Sequence, residues 1–176
     1  IDDEPGGSVI KGGATLATDG ELLAEAVFSC SQTFDEKDVP EQERCLVLRP
    51  AQFYLLNQTT KVLNRDWLGA GSYSDGKLDK IAGIKILMSN HLPKANITAA
   101  VDGEKNTYFG DFTNTLGLCM QSNAIATVKL KDLTIQQSGP DFNIVYQSTL
   151  MVAKYAMGHG ILNPSFAIEL STAAKA

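Results

Sequence analysis

The sequence has little of what catalytic, metal-binding and disulfide-bonded proteins depend on. It contains three cysteines, two histidines and one tryptophan in 176 residues. No apolar run approaches the ~18 residues that a membrane-spanning helix needs. Six prolines and fifteen glycines are an ordinary share, and 44% of the residues are hydrophobic, as in folded globular proteins. A membrane protein, a fibrous repeat and a secreted disulfide scaffold are therefore excluded.

The cysteines and histidines do not have the spacing of a metal site. Cys30, Cys45 and Cys119 lie far apart without a CxxC pair, and only His91 and His159 could supplement them. A zinc site needs ligands that are closely paired along the chain. We therefore predict reduced, buried thiols in a protein made in the cytoplasm, with no metal and no cofactor.

Motifs for catalysis are missing as well. The sequence contains no GxSxG, HExxH or DxDxDG pattern, and its glycine clusters at residues 6–13 and 69–76 lack the ending of a phosphate-binding loop. A general base would have to be His91 or His159. His159 lies between two glycines and His91 precedes Leu92-Pro93, so a structural hydrogen bond is the better interpretation of both. We predict that the chain is not an enzyme and has no catalytic residues.

Charge is distributed unevenly along the chain. The net charge is −5, but residues 1–45 hold eleven acidic and three basic side chains, whereas residues 46–176 hold nine and twelve. Proteins that bind nucleic acids need clustered Lys and Arg, so no specific nucleic-acid binding is predicted. The asymmetry suits a head-to-tail contact between copies, and a solvated acidic helix end explains it equally well.

The hydrophobic pattern predicts one strong helix followed by mixed helix and strand. A capping box at residues 18–21 precedes apolar residues at helical spacing up to Phe34, and Val39-Pro40 ends the helix. Residues 45–48 predict a buried strand, and Arg49-Pro50 opens a second helix. Further strands are predicted at 81–92, 108–109, 116–120, 127–135, 142–157 and 166–170. This order is an α+β pattern in one domain or two lobes.

Four separated blocks resemble the major capsid proteins of short-tailed phages of the autographivirus kind. They are DEKDVP with the following CLVLRPAQFYLL, then IAGIKILMSNHLP, IATVKLKDL and LMVAKYAMGHGILNP. The blocks stand in the family's order and span roughly residues 34–170. Residues 1–33 contain no such block and resemble the family only in leading into a long helix.

The resemblance implies the α+β fold of tailed-phage capsids, called Hong Kong 97-like. In it, a peripheral lobe with a long spine helix and a sheet is joined to an axial lobe at the ring centre. Residues 1–39 then contain the approach and the spine helix, residues 40–124 the axial lobe, and residues 125–176 the returning peripheral sheet. The family's N-terminal arm and extended loop have no counterpart here. Because residue 1 is Ile, we expect a part of a longer protein.

The resemblance also implies a structural coat subunit that assembles with itself into hexamers and pentamers. These form an icosahedral phage head around double-stranded DNA. The implied partners are scaffolding protein and portal, with a decoration protein as a further candidate, and the implied location is the virion. Two alternatives stay open: a cellular encapsulin-type shell protein, and a small acidic enzyme or ligand-binding domain.

Two regions are candidates for contacts between copies. The acidic stretch at residues 21–43 is predicted to face a basic region of the neighbouring copy. The candidates for that region are Lys77, Lys80, Lys85 and Lys94. Trp67, Leu68 and Tyr73 are expected near the ring axis, where an exposed aromatic would anchor in a partner's pocket. Covering their own lobe is the equally weighted alternative.

Overall fold

The protein is described by a computed structural model over residues 6–59, 80–100 and 109–174. The chain divides into two compact units. The sheet unit comprises residues 1–124 and 163–176, and the hairpin unit comprises residues 125–162. Among the described residues, none of the helices combines the length and the hydrophobicity that crossing a lipid bilayer requires.

A six-stranded mixed sheet is the framework of the sheet unit. In spatial order its strands are β1 (Ser8–Lys11), β10 (Ala167–Ser171), β7 (Thr115–Gln121), β2 (Arg44–Leu48), β4 (Ile84–Met88) and β3 (Lys80–Ile81). β1 is parallel to β10 and β2 is parallel to β4, and the other neighbours are antiparallel. A separate antiparallel pair joins β5 (Asn96–Ile97) to β6 (Gly110–Asp111). Strands from near the two ends of the sequence therefore meet in one sheet.

Helix α1 (Gly20–Glu36) forms the main core with this sheet. The predicted helix is confirmed, but its cap differs from the prediction. The Asp19 carboxylate accepts the backbone N–H of Glu21 at 2.9 Å, whereas the Thr18 hydroxyl donates to the Thr15 carbonyl. The apolar stripe of α1 faces alternate residues of the strands. The fully buried residues of this core include Leu23, Val27, Cys30, Phe34, Leu46, Leu48, Ile84, Cys119, Ile168 and Leu170.

The second predicted helix is also present, as α2 (Pro50–Asn57), with Pro50 in its first turn. α2 packs against α1 at a close approach that only a glycine permits. A Cβ on Gly20 would overlap Thr59 Oγ1 and would lie 2.8 Å from the Leu55 carbonyl oxygen. The missing side chain at Gly20 therefore sets how closely the two helices approach.

The hairpin unit consists of two long strands and a short helix in their connection. β8 (Ile125–Gln137) pairs with β9 (Met151–Ile161) in antiparallel fashion, with register shifts around Lys131. Helix α3 (Pro140–Tyr146) begins with proline in its first turn and ends at Gln147, which has a positive φ of 47°.

Three strand predictions are corrected here. The prediction of one strand over residues 142–157 is wrong, because α3 and a turn occupy the first part, where Pro140 and Asp141 favour a helix start. Residues 81–92 contain a turn and the shorter β4, since Ala82 and Gly83 both have positive φ. Phe109 precedes β6 rather than joining a strand, and Tyr108 lies outside the described residues. The strands predicted at 45–48, 116–120, 127–135 and 166–170 are confirmed within a few residues.

The contacts group the chain differently from the three predicted segments. Helix α1, predicted as the spine helix of a peripheral lobe, packs on strands from residues 40–124. β10, predicted in the returning peripheral sheet, pairs with β7 and β1. The assignment of segments to peripheral and axial lobes stays a prediction.

Candidate assembly surface

The hairpin unit has no interior of its own. Not one of residues 125–162 is buried. Fifteen of its large apolar side chains are exposed: Ile125, Val128, Leu130, Leu133, Ile135, Ile144, Val145, Tyr146, Leu150, Met151, Val152, Tyr155, Met157, Ile161 and Leu162. A lone two-stranded hairpin is at best marginally stable in water. An apolar surface of this kind marks a site for a partner.

The two faces of the hairpin differ in chemistry. Residues paired across the strands share a face, and side chains alternate along each strand. The large apolar side chains that share one face in this way are Ile125, Ile135, Met151, Tyr155, Met157 and Ile161. The opposite face is mixed and carries two valines, two glycines and two lysines: Val128, Val152, Gly158, Gly160, Lys131 and Lys154. The first face carries more of the large apolar side chains, although Lys129 and His159 also lie on it. Leu130 and Leu133 lie at the register shifts and are assigned to neither face.

A second apolar group lies at the tip of the hairpin. The tip cluster comprises Ile144, Val145, Tyr146 and Leu150, which are 76%, 72%, 65% and 52% exposed. Ser138 fixes the base of the tip, since its backbone N–H donates to the Leu150 carbonyl at 2.9 Å and its hydroxyl donates to Asn143 Oδ1 at 2.6 Å. The Leu150 N–H donates to Ser138 Oγ at 3.0 Å. These hydrogen bonds close the loop that carries the four apolar side chains.

The two histidines are exposed and are held in separate local contacts. His159 Nδ1 lies 2.9 Å from Thr127 Oγ1, its cross-strand neighbour, which is the structural hydrogen bond that the sequence predicts. The backbone N–H of His91 donates to Ser89 Oγ at 3.2 Å, so here the main chain rather than the ring makes the contact. Among the described residues, neither histidine takes part in an ion pair. The absence of catalytic residues stays a prediction.

All three cysteines are free thiols, as predicted, but they differ in exposure. Cys30 and Cys119 are buried, whereas Cys45 is half-buried. A hydrogen bond with Cys30, together with burial, raises the pKa of Cys119. Burial also raises the pKa of Cys45, and the nearby Lys85 ammonium partly offsets this. Neutral thiols are weak nucleophiles and weak metal ligands, so these residues act as small core side chains. The described residues contain no cluster of His, Cys, Asp or Glu that could hold a metal ion.

Part of the acidic stretch is used inside its own subunit. The buried Arg44 guanidinium lies 2.8 Å from Asp35 Oδ1 and 5.3 Å from the centre of the Phe34 ring. It also donates to the Val39 carbonyl and, at 3.0 Å, to the Pro40 carbonyl. This arginine therefore holds the turn after α1 in place. The carboxylates that remain exposed on that turn are Asp38, Glu41 and Glu43.

Two of the predicted basic residues are exposed side by side. Lys80 and Lys85 are direct cross-strand partners on β3 and β4. Like charges in this position repel each other, so an acidic partner would stabilise them. Lys94 instead donates to Asn90 Oδ1 at 2.8 Å. The remaining candidates, Lys77, Trp67, Leu68 and Tyr73, lie outside the described residues.

Comparison with known proteins identifies the family. The model of the Gp10A-like major capsid proteins matches residues 4–171. The chain belongs to this family. It is 32% identical over 99 residues to the major capsid protein of Escherichia phage T7. That alignment covers 56% of this chain and 24% of the T7 protein.

Solved structures agree with this assignment. The capsid structure of cyanophage P-SCSP1u matches with a TM-score of 0.79 and 43% identity, over 96% of this chain and 54% of that chain. The mature capsid of bacteriophage PhiM1 matches with a TM-score of 0.68 and 17% identity, over 93% of this chain and 50% of that one, which shows a shared fold. The predicted tailed-phage capsid fold is confirmed. The chain spans about half the length of these structures, and a quarter of the T7 protein.

The family also bears on the predicted function class. Both the family model and the T7 relative carry the name of major capsid protein, which is a structural role and not an enzymatic one. This match favours the coat-protein interpretation over the encapsulin-type shell protein and the small acidic enzyme.

Proposed function

We propose that this chain is part of a coat subunit that assembles with itself into the hexamers and pentamers of an icosahedral phage head. The head would enclose double-stranded DNA, and the subunit would reside in the virion. The observation that carries the proposal is the hairpin unit, residues 125–162, in which no residue is buried. A subunit whose strands lack an interior gains one by contact with other chains.

The exposed apolar area supports this proposal. The fifteen exposed apolar side chains of the hairpin unit, distributed over its two faces and its tip, together present on the order of 1,500 Å². At ~25 cal/mol per Å², removing such a surface from water is a strong driving force for association. In a monomeric enzyme or ligand-binding domain, this exposed apolar surface would have no function.

Assembly would proceed through many individually weak contacts. Head-to-tail contacts close into rings when the rotation between copies allows closure. Once a subunit touches several neighbours, each further contact is effectively intramolecular, and the shell becomes stable without one tight interface. Scaffolding protein and portal are proposed to guide this process in the host cytoplasm, and a decoration protein is a candidate for the finished surface.

Electrostatic complementarity is proposed to guide the encounter of copies. The exposed acids on the turn after α1 would face the Lys80–Lys85 pair of a neighbour, because steering acts between unlike patches. Reversing both charges, Lys80→Glu with Lys85→Glu, should slow assembly at low salt and make its rate more dependent on salt. Lys11→Glu, on β1 at the other edge of the sheet, is the control. An unchanged assembly rate at low salt would exclude this pairing.

The test of the proposed function is the particle size of the purified protein. Electron microscopy and light scattering over a range of protein concentrations should show closed particles or ring-shaped oligomers. Duplex DNA added to the subunits should not be bound in a salt-sensitive way, because the chain lacks a basic cluster and is acidic overall. A stable monomer at every concentration, with turnover of a substrate that depends on His91 or His159, would overturn the proposal.

A further inference from the structure

We infer that strand β1 and the turn after α1 (residues 37–43) form one conformational switch, with Lys37 as the latch between them. In the latched state β1 lies on the sheet and the turn presents its exposed acids. In the released state both segments loosen together. This inference rests on the proposed function, because the turn carries Asp38, Glu41 and Glu43, which are proposed to meet a neighbouring copy. It adds regulation of that surface by β1.

Lys37 connects two segments that are far apart in the sequence. It is the residue that follows the last turn of α1, and its ammonium donates to the Gly6 carbonyl and to Ser8 Oγ, both at 2.7 Å. Ser8 is the first residue of β1. Hydrogen bonds from a charged donor are stronger than those between neutral groups. Lys37 therefore fastens the start of β1 to the end of α1.

Strand β1 has few other attachments that would make such a latch redundant. It lies at the edge of the sheet, and in the described part of the chain it pairs with β10 alone, over four residues. None of its residues is buried, and Ile10 is the one that packs against the hydrophobic core. Short, exposed edge segments have low local stability and open readily. The loss of one strong contact is therefore enough to shift β1 towards a released state.

The turn after α1 is held in a strained backbone conformation. Asp38 and Glu43 have positive φ values of 55° and 61°, although neither is glycine. Such conformations persist only where the surrounding contacts impose them. The contacts here are the Arg44 guanidinium, which donates to two carbonyls of the turn, and the Lys37 ammonium, which ties the turn to β1. When the Lys37 contact is lost, relief of strain favours a different arrangement of the turn.

Coupling between two sites acts equally in both directions. Release of β1 would loosen the turn, and a partner that binds the turn would fasten β1. A loose segment loses more conformational entropy on binding than an ordered one. A subunit with β1 released would therefore bind the Lys80–Lys85 pair of a neighbour more weakly. In this way the docking of β1 would control how readily the acidic turn engages another copy.

Hydrogen–deuterium exchange on unassembled subunits tests the latch. Lys37→Met should speed exchange of the β1 amides by at least about tenfold and leave those of β7 unchanged. Lys37→Arg should recover most of the protection, because a guanidinium also offers charged donors. The matched control is Lys11→Met on the same strand, since the Lys11 side chain is exposed and makes no hydrogen bond or ion pair with the described residues. Unchanged exchange of β1 in the Lys37→Met variant would overturn the inference.

A second variant distinguishes a switch from a simple tie. Ile10→Ala weakens the attachment of β1 and leaves Lys37 and both of its acceptors in place. The amides of the turn should then exchange at least about threefold faster, while those at the centre of α1 keep their parent rates. If β1 loosens and the turn does not, the two segments are uncoupled and the inference is wrong, with the proposed function intact. Failure of the parent protein to form particles would instead overturn the proposed function, and with it the regulation by β1.

Discussion

The sheet unit and the hairpin unit are built from similarly apolar strands but use them in opposite ways. In the sheet unit, residues such as Leu46, Ile84 and Ile168 are fully buried in the core that α1 completes. In the hairpin unit, Leu130, Ile135 and Met151 are about two-thirds exposed or more. The first unit is stabilised by its own interior, and the second is the unit that we propose to be covered by other chains. Burial, rather than hydrophobicity, distinguishes the apolar residues of the two units.

The largest effect is expected in the core of the sheet unit. Phe34 is fully buried against Arg44, whereas Phe28 on the same helix is 55% exposed. Phe34→Ala should lower the free energy of unfolding by about 3–5 kcal/mol, because it removes a buried ring and leaves a cavity. Phe28→Ala should change it by less than about 0.5 kcal/mol. Denaturant unfolding of the two variants measures the difference, and equal losses would contradict the assigned core.

The next effect concerns the buried guanidinium of Arg44. Arg44→Leu should lower the free energy of unfolding by about 2–3 kcal/mol, because the Val39 and Pro40 carbonyls lose a charged donor. Asp35 is more than half exposed, so water solvates its carboxylate in the variant. The lost ion pair therefore adds little to the loss of unfolding free energy. Arg44→Lys should recover only part of the lost free energy of unfolding, because the lysine ammonium lacks the planar guanidinium with its several N–H donors. Full recovery by lysine in thermal or denaturant unfolding would show that charge alone is required.

A smaller effect is expected where α1 meets α2. Gly20→Ala should cost about 1–3 kcal/mol, because the new methyl group would overlap Thr59 and the Leu55 carbonyl. Gly139 in the hairpin unit is the matched control, since a Cβ there meets nothing within 4 Å and its φ is −71°. Gly139→Ala should change the free energy of unfolding by no more than about 0.5 kcal/mol, because the lower entropy of the unfolded chain offsets the weaker N-cap preference of alanine. Similar costs at both positions, measured by denaturant unfolding, would mean that the two helices do not approach so closely.

The smallest effect is a pH dependence from the buried thiol of Cys119. Its pKa is raised in the folded state, so folding favours the protonated thiol and this contribution is complete below the unfolded pKa of about 8.5. Above that pH the unfolded chain releases a proton that the folded chain retains, and stability falls. Cys119→Ala should therefore show a flatter decline of unfolding free energy between pH 8 and pH 10 (roughly the range above the usual thiol pKa). An identical slope in both proteins would exclude this linkage.

Sequence patterns predict a helix or strand correctly where the residues of that element alone determine its structure. The stripe of α1 and the short apolar run of β2 are local signals, and both correspond to elements of the core. The single strand predicted at residues 142–157 is wrong, because alternating apolar residues there also fit a short helix that begins at Pro140. The role of α1 as a spine helix comes from resemblance alone, and the pattern could not reveal which sheet its stripe would contact.

The candidate site was only partly predictable, for a physical reason. Apolar residues on both sides of the last long segment indicate a strand that is central or covered by a partner, and the sequence could not separate these two cases. Exposure of residues such as Tyr155 and Met157 depends on what lies against them, which composition and spacing do not encode. The tip cluster could not be found from the alternating apolar pattern, because that pattern placed its residues in a strand. The proline and aspartate at its start were the signal that could have found it.

Hydrogen–deuterium exchange on free subunits and on assembled particles tests the central claim most directly. The amides of residues 125–162 should exchange rapidly in the free subunit and become strongly protected in particles, while those of α1 and β7 should be protected in both. The account would be contradicted if the hairpin amides were as slow in the free subunit as in particles, since the hairpin would then be stable without neighbours.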